Sequence, residues 1–130
     1  SLKKFRDVFP YLRDGTDYLR LLISLGMSYI SSGDIETGKK YIMDMLRADP
    51  EFAAIYLAAA LEEAKLPGGQ SALLAALRQI AEAQGIANVA ERAGIPRESV
   101  YRALSPRGNP TLKTLLALLS ATGLRLGVQT

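Results

Sequence analysis

The segment Ile86 to Ala103, IANVAERAGIPRESVYRA, restricts what this chain can fold into more than any other part of it. Counted from Ile86, a small residue, Ala90, stands fifth and a glycine, Gly94, ninth. Apolar residues, Val89, Ala93, Ile95, Val100 and Ala103, stand fourth, eighth, tenth, fifteenth and eighteenth. Two short helices that cross steeply need a side chain no larger than alanine at their closest approach, and a residue tolerant of positive φ in the turn between them. The spacing therefore predicts a helix-turn-helix corner at Gly94, with the apolar set fastening both helices to the rest of their domain.

A second helix anchored in this way turns Arg97, Glu98, Tyr101, Arg102 and Ser105 outward. Such a polar, cationic, hydrogen-bonding face is of the kind that reads base edges in a major groove. Arg97, directly after Pro96, can fork to guanine O6 and N7. Glu98 can accept from cytosine N4, although a glutamate in a first helical turn is also favoured by the helix dipole alone. At about 100° per residue, Glu98 and Arg102 lie nearly opposite Val100. Ser99 and Tyr101 are candidates for phosphate or base-edge contacts, with packing against the neighbouring helix as the alternative for Tyr101. Arg107 and Asn109, in the loop that follows, fall where backbone phosphates would pass. Arg92 reads as surface charge or a further contact. The candidate DNA-binding set is Arg97, Glu98, Ser99, Tyr101, Arg102, Arg107 and Asn109.

The charge distribution agrees with that placement. Residues 1–68 carry nine Lys and Arg against ten Asp and Glu, a balance of −1, whereas residues 69–130 carry seven against three, a balance of +4. A cationic excess coinciding with the motif is the electrostatic footprint of a duplex binder. The chain has no Cys and no His. Thiol nucleophiles, Cys or His metal sites, disulfides and imidazole acid-base chemistry are thereby removed together, so no enzyme, cofactor or metal is expected. Pro67-Gly68-Gly69-Gln70-Ser71 lacks the lysine of a phosphate-binding loop and reads as a linker. No apolar run reaches the roughly 18 residues of a membrane span, and SLKKFRDVFPYL lacks a signal-peptide core, so the expectation is a cytoplasmic protein with no membrane partner.

The rest of the chain is a run of short helices with clear punctuation, which predicts an all-α fold. A helix from Asp17 to about Ser31 is followed by Asp34 capping a second, with Ile35, Tyr41, Ile42, Met45 and Leu46 as its stripe. Pro50 starts a third through FAAIYLAAALEEAKL. Ser71 caps the next, which ends at Gly85, and Thr111 opens a last helix closed by Gly123. LRLGVQ alternates apolar and polar residues, a candidate short C-terminal strand that would need a second subunit's tail to pair with. The expected organisation is an N-terminal helical hairpin plus linking helix over residues 1–66 and a DNA-binding helix-turn-helix domain over 67–130. A lone reader of this size makes few contacts, so a homodimer on an inverted repeat is expected, its surface either the segment Leu115 to Val128 or the N-terminal hairpin.

From about Leu46 to Leu126, the runs DPEFAAIYLAAALEE, ALRQIAEAQG and AERAGIPRESVYRALSPRGNPTLKTLLALLSATGLRL, in this order, resemble the addiction-module antidote proteins of bacterial and prophage toxin-antitoxin loci. That helix-turn-helix group is related to the XRE-like repressors. The resemblance implies a lambda-repressor-like domain in a small repressor that binds its own double-stranded DNA operator and neutralises a partner toxin, usually a RelE-like messenger-RNA endonuclease. The chain departs from such families at Pro96, where they often place a serine N-cap. Leu25-Gly26, Tyr29, Gly33, Gly38, Ile42, Met45 and Pro50 also fall at the spacing of a tetratricopeptide repeat, and a solitary repeat cannot bury its own apolar face. A helical hairpin sharing the pattern by chance is the equal alternative. A protein-interaction adaptor with no DNA role is the rival function, favoured if the chain binds only a neighbouring protein.

Overall fold

The computed structural model describes residues 33–130, which form six helices and no strand. They are α1 (Ile35–Ala48), α2 (Pro50–Glu63), α3 (Gln70–Gln84), α4 (Ile86–Ala93), α5 (Arg97–Ala103) and α6 (Leu112–Ala121). The helix expected over Asp17 to Ser31, and most of the tetratricopeptide-like pattern, lie outside the described residues. No helix among the described residues is long and apolar enough to cross a membrane. The chain divides into two units, Ser1–Ile55 and Tyr56–Thr130, with the division falling inside α2.

In the first unit, Asp34 caps α1 by accepting from the Thr37 N–H at 3.3 Å. Gly38, Ile42 and Leu46, four residues apart, form its buried line. Asp49 ends α1 and its carboxylate accepts from the Glu51 N–H at 3.0 Å, while Pro50, which has no N–H to leave unsatisfied, opens α2. Phe52 and Ala53 are buried at the start of that helix.

In the second unit, α4 is the central element: it packs against α3, α5 and α6. Ile86, Val89 and Ala90 are its buried face, meeting a core that includes Leu77, Ile80, Ala81, Leu118 and Leu119. Burying a Val, Leu or Ile side chain stabilises by roughly 1.5–3 kcal/mol, so an eight-residue helix too short to persist alone is held by its neighbours. Tyr56 on α2 donates a hydrogen bond to Gln79 Oε1 on α3. Burial raises the Tyr56 phenol above its ordinary range; the Gln79 amide, which can turn an N–H toward the phenolate, works the other way.

One expectation is corrected. Ser71 does not cap α3: the helix begins at Gln70 with Gly69 at the cap position, and the Ser71 hydroxyl donates to the Gly68 carbonyl at 3.1 Å. A side chain at Gly69 would lie 1.7 Å from the Glu63 carbonyl oxygen, so the chain folds back on the end of α2 and enters the helix early. The segment 124–130 is not a strand in the single chain, where no second tail is present to pair with it.

Candidate nucleic-acid interface

The turn between α4 and α5 is built on Gly94, whose φ of 72° and ψ of 30° place it in the left-handed region. The Gly94 N–H donates to the Glu91 carbonyl at 3.2 Å and the Ile95 N–H to the Ala90 carbonyl at 3.1 Å. This is the Schellman pattern, which satisfies two of the carbonyls a helix leaves open at its end. Pro96 follows in extended conformation, φ −64° and ψ 152°, with no side-chain cap, and its carbonyl accepts from the Ser99 N–H at 3.0 Å and the Val100 N–H at 3.2 Å as α5 begins. The turn is thus closed by backbone bonds on both sides.

Helix α5 is anchored by Val100 and Leu104, one turn apart and both at 0% exposure. Arg97, Glu98, Tyr101 and Arg102 are all exposed, on an arc of about 140° at 100° per residue; Glu98 and Arg102 lie opposite the anchors, while Arg97 and Tyr101 lie on the edge of the arc nearer Leu104. Tyr101 is 52% exposed, so about half of its surface is open to solvent. Ser99 lies half-buried on the flank of this arc. Arg107 and Asn109 are exposed in the loop between α5 and α6, not on the helix itself. Arg97, Arg102 and Arg107 form no ion pair with any described residue, so their guanidinium groups are available to an outside anion or carbonyl acceptor.

Arg92 has a different role from the surface charge read in the sequence. Its Nη1 donates to the Ala121 carbonyl at 2.8 Å and to Gln84 Oε1 at 3.3 Å. Gln84 Nε2 donates in turn to the Thr122 carbonyl at 2.9 Å, and the buried Thr122 hydroxyl to the Leu119 carbonyl at 2.7 Å. Side chains from α3 and α4 therefore cap the carboxyl end of α6, where a cation is also favoured by the helix dipole.

Gly108 is the residue that sequence reasoning missed in the loop. Its N–H donates to the Ser105 carbonyl at 2.8 Å, and a side chain there would stand 2.2 Å from the Ala103 carbonyl oxygen. The Ser105 hydroxyl donates to the Arg102 carbonyl at 3.0 Å. The loop thus folds onto the end of α5 and sets Arg107 and Asn109 beside it; the Gly-Asn-Pro run was the available signal.

Residues 37–130 match the family described as probable addiction module antidote protein. The chain belongs to this family. The match begins in α1, upstream of the Leu46 to Leu126 span on which the resemblance was noted, and takes in every described helix from there on. An uncharacterised protein of Haemophilus influenzae is 44% identical over 57 residues, 44% of this chain and 59% of that protein. The matched segment thus spans about three fifths of that relative's length. No solved structure matches the chain. Membership of the antidote family rests on the whole stretch containing α4, the Gly94 turn and α5, not on the motif alone.

Proposed function

We propose that α4, the Gly94 turn and α5 form a helix-turn-helix that reads double-stranded DNA, and that this antidote protein is the antitoxin and autorepressor of a toxin-antitoxin locus. The observation that carries the reading is the division of α5 between two fully buried anchors and an exposed set of two arginines, a glutamate and a tyrosine that form no ion pair among the described residues. Arg97 and Arg102 contact base edges, with Glu98 and Tyr101 beside them; Ser99, Arg107 and Asn109 hold the flanking phosphates. The DNA-binding unit lies within residues 67–130, and two copies bind an inverted repeat with half-sites about one helical turn, roughly 34 Å, apart. The partner toxin is a small RelE-like protein encoded next to the antidote gene.

Fluorescence anisotropy on duplex from upstream of its own gene tests the reading. Losing a bidentate base contact costs about 1–3 kcal/mol and relaxes specificity at one position, the result expected for Arg97→Ala. Arg107→Ala is expected to weaken all sequences alike and to lower the salt slope by about one. Unchanged operator affinity and selectivity for Arg97→Ala would remove α5 from the groove. Salt-insensitive binding, or binding only to the neighbouring gene product, would favour the adaptor instead.

A further inference from the structure

The segment after α6 holds exposed apolar side chains, and backbone groups that have no partner among the described residues. The Leu124 N–H closes the end of α6 on the Leu119 carbonyl at 3.0 Å. Beyond it, residues 125–130 make no backbone hydrogen bond to any described residue. Leu126 is 46% exposed and Val128 is 98% exposed. Gly127 has no internal reason to be glycine: a side chain there would meet nothing within 4 Å, and its φ is not positive. In extended conformation Leu124, Leu126 and Val128 share one face, and Arg125, Gly127 and Gln129 the other.

We propose that this segment pairs antiparallel with its counterpart in a second copy of the chain, about a twofold axis through Leu126. Only registers that set like faces together keep the apolar residues on one side, and a slip of one residue moves them off it. With the axis at Leu126, Leu124 lies across from Val128 of the second copy and Leu126 across from its equivalent, so every facing pair on that side is apolar. Arg125 then lies across from Gly127, which leaves room for the guanidinium and keeps like charges apart. An axis at Arg125 opposes the two arginines directly, which is destabilising. An axis at Gly127 turns Leu124 onto Thr130 and loses apolar pairs. The charge and apolar pattern are therefore complementary to themselves in one register, which identifies the occupant as a second copy, joined through an isologous contact. The proposal deepens the DNA reading above and rests on it only for the need to hold two α5 helices as a pair.

The chain contains no cysteine, so single cysteines introduced into the full chain report the register directly. Directly opposed residues have Cα atoms about 4.5–5.5 Å apart, within disulfide range. Residues two positions from the axis meet their equivalents only across about 13 Å, beyond that range. The expected result is that Leu126→Cys cross-links at least tenfold faster than Leu124→Cys or Val128→Cys. Sedimentation of the native chain is expected to show a dimer, and Leu126→Glu a monomer with unchanged helical circular dichroism. A native chain that sediments as a monomer, equal cross-linking at all three positions, or a dimer that survives Leu126→Glu would overturn the proposal. So would a dimer split by Leu112→Glu and not by Leu126→Glu, which would move the contact to the face of α6 that exposes Leu112, 69% accessible, and Leu116. A chain that passes these tests but ignores duplex DNA would leave the pairing standing and sink the DNA reading; operator binding by a tail-independent dimer would do the reverse.

Discussion

Removing the Arg92 side chain is expected to loosen the unit from Tyr56 to Thr130 without touching the face of α5. Arg92→Met keeps the aliphatic stem and a good helix former, and deletes the donor to Ala121 at 2.8 Å and to Gln84 at 3.3 Å. A charge-assisted hydrogen bond contributes about 1.5–3 kcal/mol when buried, and a cation at an exposed helix carboxyl end about 0.3–1 kcal/mol. Arg92 is exposed, so water replaces part of what is lost and the expected cost is about 1 kcal/mol. For a unit of this size that lowers Tm by roughly 4–8 °C. Gln84→Ala removes the parallel donor to Thr122 at 2.9 Å, and because both side chains hold one helix end, the double variant is expected to depart from additivity by about 0.5 kcal/mol or more. Differential scanning calorimetry at low and high salt measures both, with the Arg92 increment shrinking as salt screens the dipole term. An unchanged Tm for Arg92→Met would refute the capping argument. Lost DNA affinity at unchanged Tm would place the guanidinium on the nucleic acid.

Two further perturbations probe the same unit. Gly108→Ala puts a carbon 2.2 Å from the Ala103 carbonyl oxygen, a backbone atom that cannot swing aside; overpacking of this kind costs about 1–3 kcal/mol, read as a lower Tm and faster amide exchange in residues 104–110. Tyr56 sets an alkaline limit: its phenol is raised by burial, so above the unfolded value of about 10 the unfolded chain releases a proton that the folded chain keeps, and stability falls as pH climbs toward the folded value. Tyr56→Phe is expected to flatten that fall in urea melts between about pH 9 and 11, and an identical slope would contradict it.

What was legible in the chain were the local devices. Asp34 and Thr111 cap the helices they precede, the latter by accepting from the Thr114 N–H at 3.1 Å, because a short oxygen-bearing side chain reaches only the next turn. Gly94 and Val100 were read for the same reason, one from turn sterics and the other from helical period. The motif spacing stops at Ala103 and does not mark Leu104, although that residue is one turn beyond Val100 and equally buried. The capping of α6 was not readable: Arg92 and Ala121 are 29 residues apart, and no local pattern marks a carbonyl at a distant helix end as a partner. Ser71 misled because it has the chemistry of a cap, while the helix start was decided by the close approach of Gly69 to Glu63. The alternation in LRLGVQ was visible, but whether such a segment becomes a strand depends on a second chain.

The way α5 is held has an evolutionary consequence. Two side chains, Val100 and Leu104, keep the helix in place, and Arg97, Glu98, Tyr101 and Arg102 are exposed rather than part of the core. Surface replacements of that kind usually shift stability by less than about 0.5 kcal/mol. Positions 97, 98, 101 and 102 can therefore drift, or be randomised in a library, while the scaffold stays folded. On the DNA reading proposed above, duplicated loci acquire separate targets through a few codons, with the architecture inherited intact.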